Sequence, residues 1–81
     1  QDWLGDFVSE YCNRDDGYYI PLADFLEKLK NHCPEASRYG KPALIAMIKK
    51  IAGTRYEARL YDSERKKQIA AIFGLRWASE K

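Results

Sequence analysis

Thr54-Arg55-Tyr56-Glu57-Ala58-Arg59-Leu60-Tyr61, then Asp62-Ser63-Glu64-Arg65-Lys66-Lys67, then Gln68-Ile69-Ala70-Ala71-Ile72-Phe73 is the stretch that decides the fold. Thr54, Tyr56, Ala58 and Leu60 alternate with Arg55, Glu57, Arg59 and Tyr61, the period-two template of a strand. The charged run 62–67 reads as a loop. Residues 68–73 then supply a return strand, closed by Gly74 and anchored by Leu75 and Trp77. Residues 63–72 also have respectable helix propensity. The hairpin is the preferred reading, because the preceding strand needs an antiparallel partner to survive.

Working back from the hairpin, the chain is mainly helical. Trp3, Leu4, Phe7, Val8 and Tyr11 form an amphipathic stripe, with Asp2 and Asp6 complementing the positive end of the helix dipole. Asn13-Arg14-Asp15-Asp16-Gly17 reads as a turn cluster that ends this helix. Tyr18-Tyr19-Ile20 is a short strand candidate stopped by Pro21. Pro21 also suits the first turn of a second helix, which carries Leu22, Phe25, Leu26, Leu29 and Cys33 on one face and closes at Pro34. Residues 35–40 are a connector with room for a helical turn. A third helix is expected from Lys41 to about Ala52, with Leu44, Ile45, Ile48, Ile51 and Ala52 as its buried stripe and Gly53 as its stop.

Helix, short strand, helix, turn, helix and hairpin is the order of a winged helix-turn-helix domain. The expected fold class is therefore α+β, three helices with a small antiparallel sheet, spanning residues 1–81 as one domain. The charge is sorted along the same order. Residues 1–37 hold eight acids against three bases, a net of −5, and residues 38–81 hold eleven bases against four acids, a net of +7. The whole-chain value of +2 conceals this division. The basic half covers the end of the turn, the third helix and the hairpin wing, the parts of this fold that approach DNA.

Composition narrows the remaining classes. With 81 residues, 46% of them hydrophobic and eleven aromatic (two Trp, six Tyr, three Phe), the chain can bury a small core, so disorder is not expected. No apolar run approaches the roughly 18–20 residues of a membrane helix. The start at Gln1 rather than Met points to a domain excised from a larger protein. Cys12 and Cys33 fall on apolar helix faces and read as two buried free thiols in a reducing compartment, the alternative being one disulfide between them. With His32 they lack the four ligands and Cys-x-x-Cys spacing of a zinc site, so no metal or cofactor is expected. His32 reads as a dipole partner at a helix end. There is no Gly-rich phosphate loop, paired catalytic carboxylates or Ser/Cys-His arrangement, so this piece is not expected to be an enzyme.

Trp3-Leu4-x-x-Phe7-Val8-x-x-Tyr11, Tyr19-Ile20-Pro21-Leu22-x-x-Phe25-Leu26-x-x-Leu29 and Tyr39-Gly40-Lys41-x-x-Leu44-Ile45 together resemble the winged-helix domain of the regulatory factor X type. The related domain at the C-terminus of poxvirus-like and phage or plasmid primase-helicases has the same outline, and Phe73-Gly74-Leu75 looks like its aromatic-Gly-aliphatic closing step. Two departures from the transcription-factor branch stand out. Its arginine-rich run before the wing is represented only by Arg55 and Arg59, and its Gly-rich wing tip is replaced by Asp62–Lys67. Base-reading contacts therefore do not carry over, and the replication-protein version is the closer fit. The resemblance implies a DNA-binding module of a viral or mobile-element replication protein, holding duplex or forked DNA beside other domains or subunits of a replication complex. The implied location is intracellular, in the nucleus, or in the cytoplasm for a virus or bacterium.

The candidate DNA-binding residues are Arg38, Tyr39, Lys41, Lys49, Lys50, Arg55, Arg59, Arg65, Lys66 and Lys67. Lys41, Lys49 and Lys50 would meet phosphates from the third helix, or only keep it soluble; lysines here position without reading sequence. The outward face of that helix, with Ala43, Ala46 and Met47, lacks the Arg, Asn or Gln that usually reads bases. Arg38 and Tyr39 lie at the turn, where Tyr39 either clamps a phosphate or packs beneath the third helix. Arg55 and Arg59 share one strand face with Glu57 between them, so a salt bridge competes with phosphate tracking. Trp3, Trp77, Phe7, Phe25 and Phe73 are core candidates, and of Tyr18 and Tyr19 one should be exposed. The alternatives to the replication module are a sequence-specific transcription factor of the regulatory factor X type and a protein-interaction module using the acidic first helix or a Tyr18/Tyr19 patch.

Overall fold

The computed structural model describes residues 2–78; Gln1, and Glu80 and Lys81 from the charge count above, lie outside them. Three helices pack on one face of a three-stranded antiparallel sheet, in the order α1 (Trp3–Tyr11), β1 (Cys12–Pro21), α2 (Leu22–His32), a 3-10 turn (Pro34–Arg38), α3 (Lys41–Lys49), β2 (Arg55–Asp62) and β3 (Lys67–Trp77). The sheet order is β1-β3-β2, so the last strand is central and the β2–β3 hairpin forms the wing. This is the α+β winged-helix arrangement expected from the sequence.

Local chemistry explains most boundaries. Asp2 caps α1 by accepting a hydrogen bond from the Gly5 amide at 3.0 Å. Pro21 precedes α2, and Pro34 opens the 3-10 turn, where its missing amide proton costs no hydrogen bond. The apolar stripes of the helices meet Ile20, Ile72 and Leu75 of the sheet in a core centred on Phe7, Phe25, Leu29, Leu44 and Ile48. Phe7 and Phe25 meet edge to face at 5.5 Å, and Phe25 stacks on Trp77 at 6.0 Å. His32 ends α2 and shares a 3.2 Å hydrogen bond with the Tyr11 hydroxyl.

Three expectations are corrected. Asn13–Gly17 does not end a helix as a free turn; it lies inside β1, which runs from Cys12 and pairs Cys12, Asn13, Arg14 and Asp15 with Trp77, Arg76, Leu75 and Gly74. The register breaks between Asp15 and Tyr19, and Asp15 Oδ1 accepts from the Gly17 amide at 3.0 Å, so the turn chemistry is spent on a bulge. α3 stops at Lys49, three residues early, and Ala52 is exposed with its carbonyl accepting from Arg14 Nη1. Phe73 is no core residue: it sits beside Tyr19 at 5.3 Å on the outer sheet face, under the Arg55 guanidinium. Trp3 and Trp77 only flank the core, half-buried.

Two glycines lock α3 to the sheet. Gly53 (φ +79°) turns the chain out of α3, and Gly74 (φ +96°) lies against it in the central strand. A Cβ at Gly74 would fall well inside 3.0 Å of the Gly53 carbonyl oxygen, so the approach depends on glycine.

Candidate nucleic-acid interface

The ten candidate residues separate by what holds them. Arg38, Lys41, Lys49, Lys50, Arg59, Lys66 and Lys67 are exposed, and none of these seven makes an ion pair among the described residues. Arg55 and Arg65 are also exposed but engaged. Arg55 pairs with Glu57 and lies 4.6 Å from the Phe73 ring centroid. The ion pair weighed against phosphate tracking is thus formed.

Arg65 is fixed by two carboxylates. Its Nη1 donates to Asp62 Oδ2 at 3.0 Å and its Nη2 to Asp24 Oδ2 at 3.1 Å. Asp62 is the buried anchor of this arrangement, and its other oxygen accepts from the Glu64 amide at 3.0 Å. The hydrogen bond to Asp24, with that to Asp62 behind it, raises the Arg65 guanidinium above its ordinary pKa. The tip is completed by Lys66 in the left-handed region (φ 56°), its amide donating to the Asp62 carbonyl at 2.6 Å. The wing therefore does not project freely. It is folded onto the start of α2.

That folding brings distant cations together. Lys41, at the first turn of α3, shares the wall of a hollow of about 340 Å³ with Arg65 and Lys67 of the wing. At the other end of α3 the Lys49 ammonium sits 5.3 Å over the ring of Tyr56 in β2. Lys41 and Lys49 are separated by about 12 Å along the helix axis, from the rise of 1.5 Å per residue. Arg59 lies where the β2 register shifts, between Glu57 and Leu60, so it no longer shares the strict alternation with Arg55 that the sequence implied.

Tyr39 does not sit beneath α3; it is 40% exposed, and its ring lies 6.0 Å from that of Trp3, tilted by 32°. Of the Tyr18–Tyr19 pair, Tyr18 is exposed, with Arg76 5.3 Å from its ring centroid. Three participants escaped the sequence reading. Trp3 was assigned to the core, although its place at the first position of α1 leaves it at the end of the stripe. Arg76 was not singled out, and it faces Asp15 at 3.7 Å. Tyr56 of the β2 alternation packs half-buried against the core, and nothing local announces that Lys49 covers it.

Both cysteines are free. Burial pushes the Cys12 thiol up to about 11, and burial followed by Glu35, Asp6 and Glu10 raises Cys33. Among the described residues, no helix is long and apolar enough to cross a membrane. No protein-family model, curated protein or solved structure matches the chain.

Proposed function

We propose that the chain is a DNA-binding winged-helix module, not itself an enzyme, of a viral or mobile-element replication protein of the primase-helicase type, working inside the cell beside a helicase or primase engine. α3 and the wing hold duplex or forked DNA, chiefly through phosphates. The observation that carries this reading is the set of seven exposed cations on the turn, α3 and the wing that make no ion pair among the described residues. Exposed cations that no carboxylate neutralises suit an anionic ligand with repeated charges. The roughly 12 Å between Lys41 and Lys49 is comparable to the ~12 Å width of a major groove, so the two ends of α3 can reach phosphates on both lips. The exposed Ala43 and Ala46 offer no hydrogen bonds to base edges, which favours binding with little sequence preference.

The test is fluorescence anisotropy on labelled 20-mers between 50 and 200 mM salt. Neutralising about five to seven phosphates gives a log–log salt slope of roughly −4.5 to −6. The pair Lys49→Ala with Lys50→Ala should make the slope shallower by about 2 and weaken binding on the order of 50-fold at 0.1 M salt, similarly on all sequences. Arg55→Ala should do far less, since Glu57 already engages that guanidinium. Unchanged affinity in the double variant would remove α3 from the interface. No binding at low salt would transfer the basic face to a protein partner, and a large preference for one sequence would favour the transcription-factor reading.

A further inference from the structure

A groove of about 540 Å³ opens between the start of α1 and the end of α3, away from the hollow at the wing. Its lining combines Trp3 and Tyr39, a tilted aromatic pair, with the apolar Met47 and Ile51 and the charged Lys50 and Asp2. Tyr39 is one of only three large hydrophobic side chains that the described residues leave exposed. From this geometry we infer that the groove binds one unstacked nucleobase of a single strand, so that the module recognises a fork or overhang and not only the duplex. The inference rests on the nucleic-acid reading above, but uses a different part of the surface.

The chemistry of the walls selects the occupant. A base is a flat, polarisable ring that stacks on aromatic side chains whatever its identity, and a nearby cation takes its phosphate. The groove is lined by an aromatic pair and by Lys50, next in sequence to Lys49, with Arg38 next in sequence to Tyr39. Both signs of charge border it. Asp2 Oδ1 accepts from the Gly5 amide, leaving Oδ2 as an acceptor for the exocyclic amino group of a base, while Lys50 suits its phosphate. A strand parting from a duplex held on α3 meets this groove at the C-terminal end of the same helix.

Trp3 is itself the reporter. The chain has two tryptophans, so Trp77→Phe leaves Trp3 as the only one, and stacking of a base on it quenches its emission. The 81-residue chain is titrated with a blunt duplex, the same duplex carrying a ten-nucleotide overhang, and the overhang strand alone. Overhang-dependent quenching is expected, with little from the blunt duplex. Tyr39→Ala, at an exposed position outside the core, should lower the preference for overhang over blunt duplex about tenfold, the loss of one aromatic–base stack. Its affinity for blunt duplex should fall far less than its affinity for the overhang substrate. Because Trp77 stacks on Phe25, the Tyr39→Ala comparison is also read by anisotropy in the otherwise unaltered chain, independently of that substitution. Normal duplex binding with no overhang-dependent quenching and no effect of Tyr39→Ala overturns the groove while leaving the module reading intact. Quenching by the single strand without any duplex binding supports the groove and overturns the duplex reading.

Discussion

Replacing Gly74 by alanine tests the contact that joins α3 to the sheet. Two costs add. The residue sits at φ +96°, where an L side chain is strained by about 1–2 kcal/mol. The new Cβ would also lie well inside 3.0 Å of the Gly53 carbonyl oxygen and 3.4 Å from the Thr54 Cα. Both neighbours are backbone, so no side chain can swing away, and forced overpacking of this kind costs about 1–3 kcal/mol. The expected loss is about 2–5 kcal/mol, against a total of about 4–12 kcal/mol for a domain of this size. At about 4–8 °C per kcal/mol the midpoint should fall by roughly 8–40 °C. Urea and thermal unfolding followed by circular dichroism measure it directly. Gly17→Ala is the control: its Cβ would meet only Asp15 Oδ1, at 3.5 Å, with no left-handed backbone to strain. A Gly74→Ala chain within about 0.5 kcal/mol of the parent, or one no worse than Gly17→Ala, would refute the close-approach argument.

Three further predictions concern the wing and the thiols. Arg65→Ala should release the wing tip from α2, so amide exchange at Glu64 and Lys66 should accelerate while the β1–β3 amides keep their protection; equal protection before and after would mean the two carboxylate bonds do not hold the tip. At pH 8, a thiol reagent should label the half-buried Cys33 well before the buried Cys12. Because folding raises the Cys12 pKa from 9.0 to about 11, its protonated thiol contributes stability fully below about pH 9, and this is lost as pH rises through about 11. Cys12→Val should flatten that alkaline decline, and superimposable alkaline limbs would count against the burial argument.

The parts of the fold legible in sequence were those set by local periodicity and by stop residues. The stripes of α1 and α2, the stop at Pro34 and the β2–β3 hairpin follow from local spacing. The misreadings share one cause, in that a distant partner overrode the local signal. Asn13–Gly17 has the composition of a turn, yet Arg76, Leu75 and Gly74 hold it as a strand and leave only a bulge to the Asp and Gly residues. Ile51 and Ala52 continue the apolar stripe of α3, but the chain must leave the helix early to bring Gly53 against Gly74. Phe73 follows Ile72, and both Ile72 and Leu75 face the core, because the left-handed Gly74 between them breaks strict alternation. In the candidate site, Lys49 and Lys50 were exposed as the pattern required. The capture of Arg65 by Asp24, forty-one residues away, had no local signature. Trp3 and Tyr39 illustrate the same gap: an aromatic on a helical stripe looks like core until its position at the end of the stripe is known.

The central place of β3 has a consequence for how the chain folds. Every strand pairing in the sheet involves this last strand, and β1 pairs with it across nearly the whole length of the sequence. The hairpin can close early, since β2 and β3 are neighbours, and the helical stripes can form on their own short timescale. The β1–β3 pairing must instead bring distant segments together, and such non-local closure slows folding relative to a helical bundle of equal length. During synthesis, the helices would emerge with their apolar faces waiting for a sheet that cannot yet be built. The domain is thus completed from its C-terminal strand, and its folding rate should respond more to substitutions at Ile72 and Leu75 than to equally buried ones in α1.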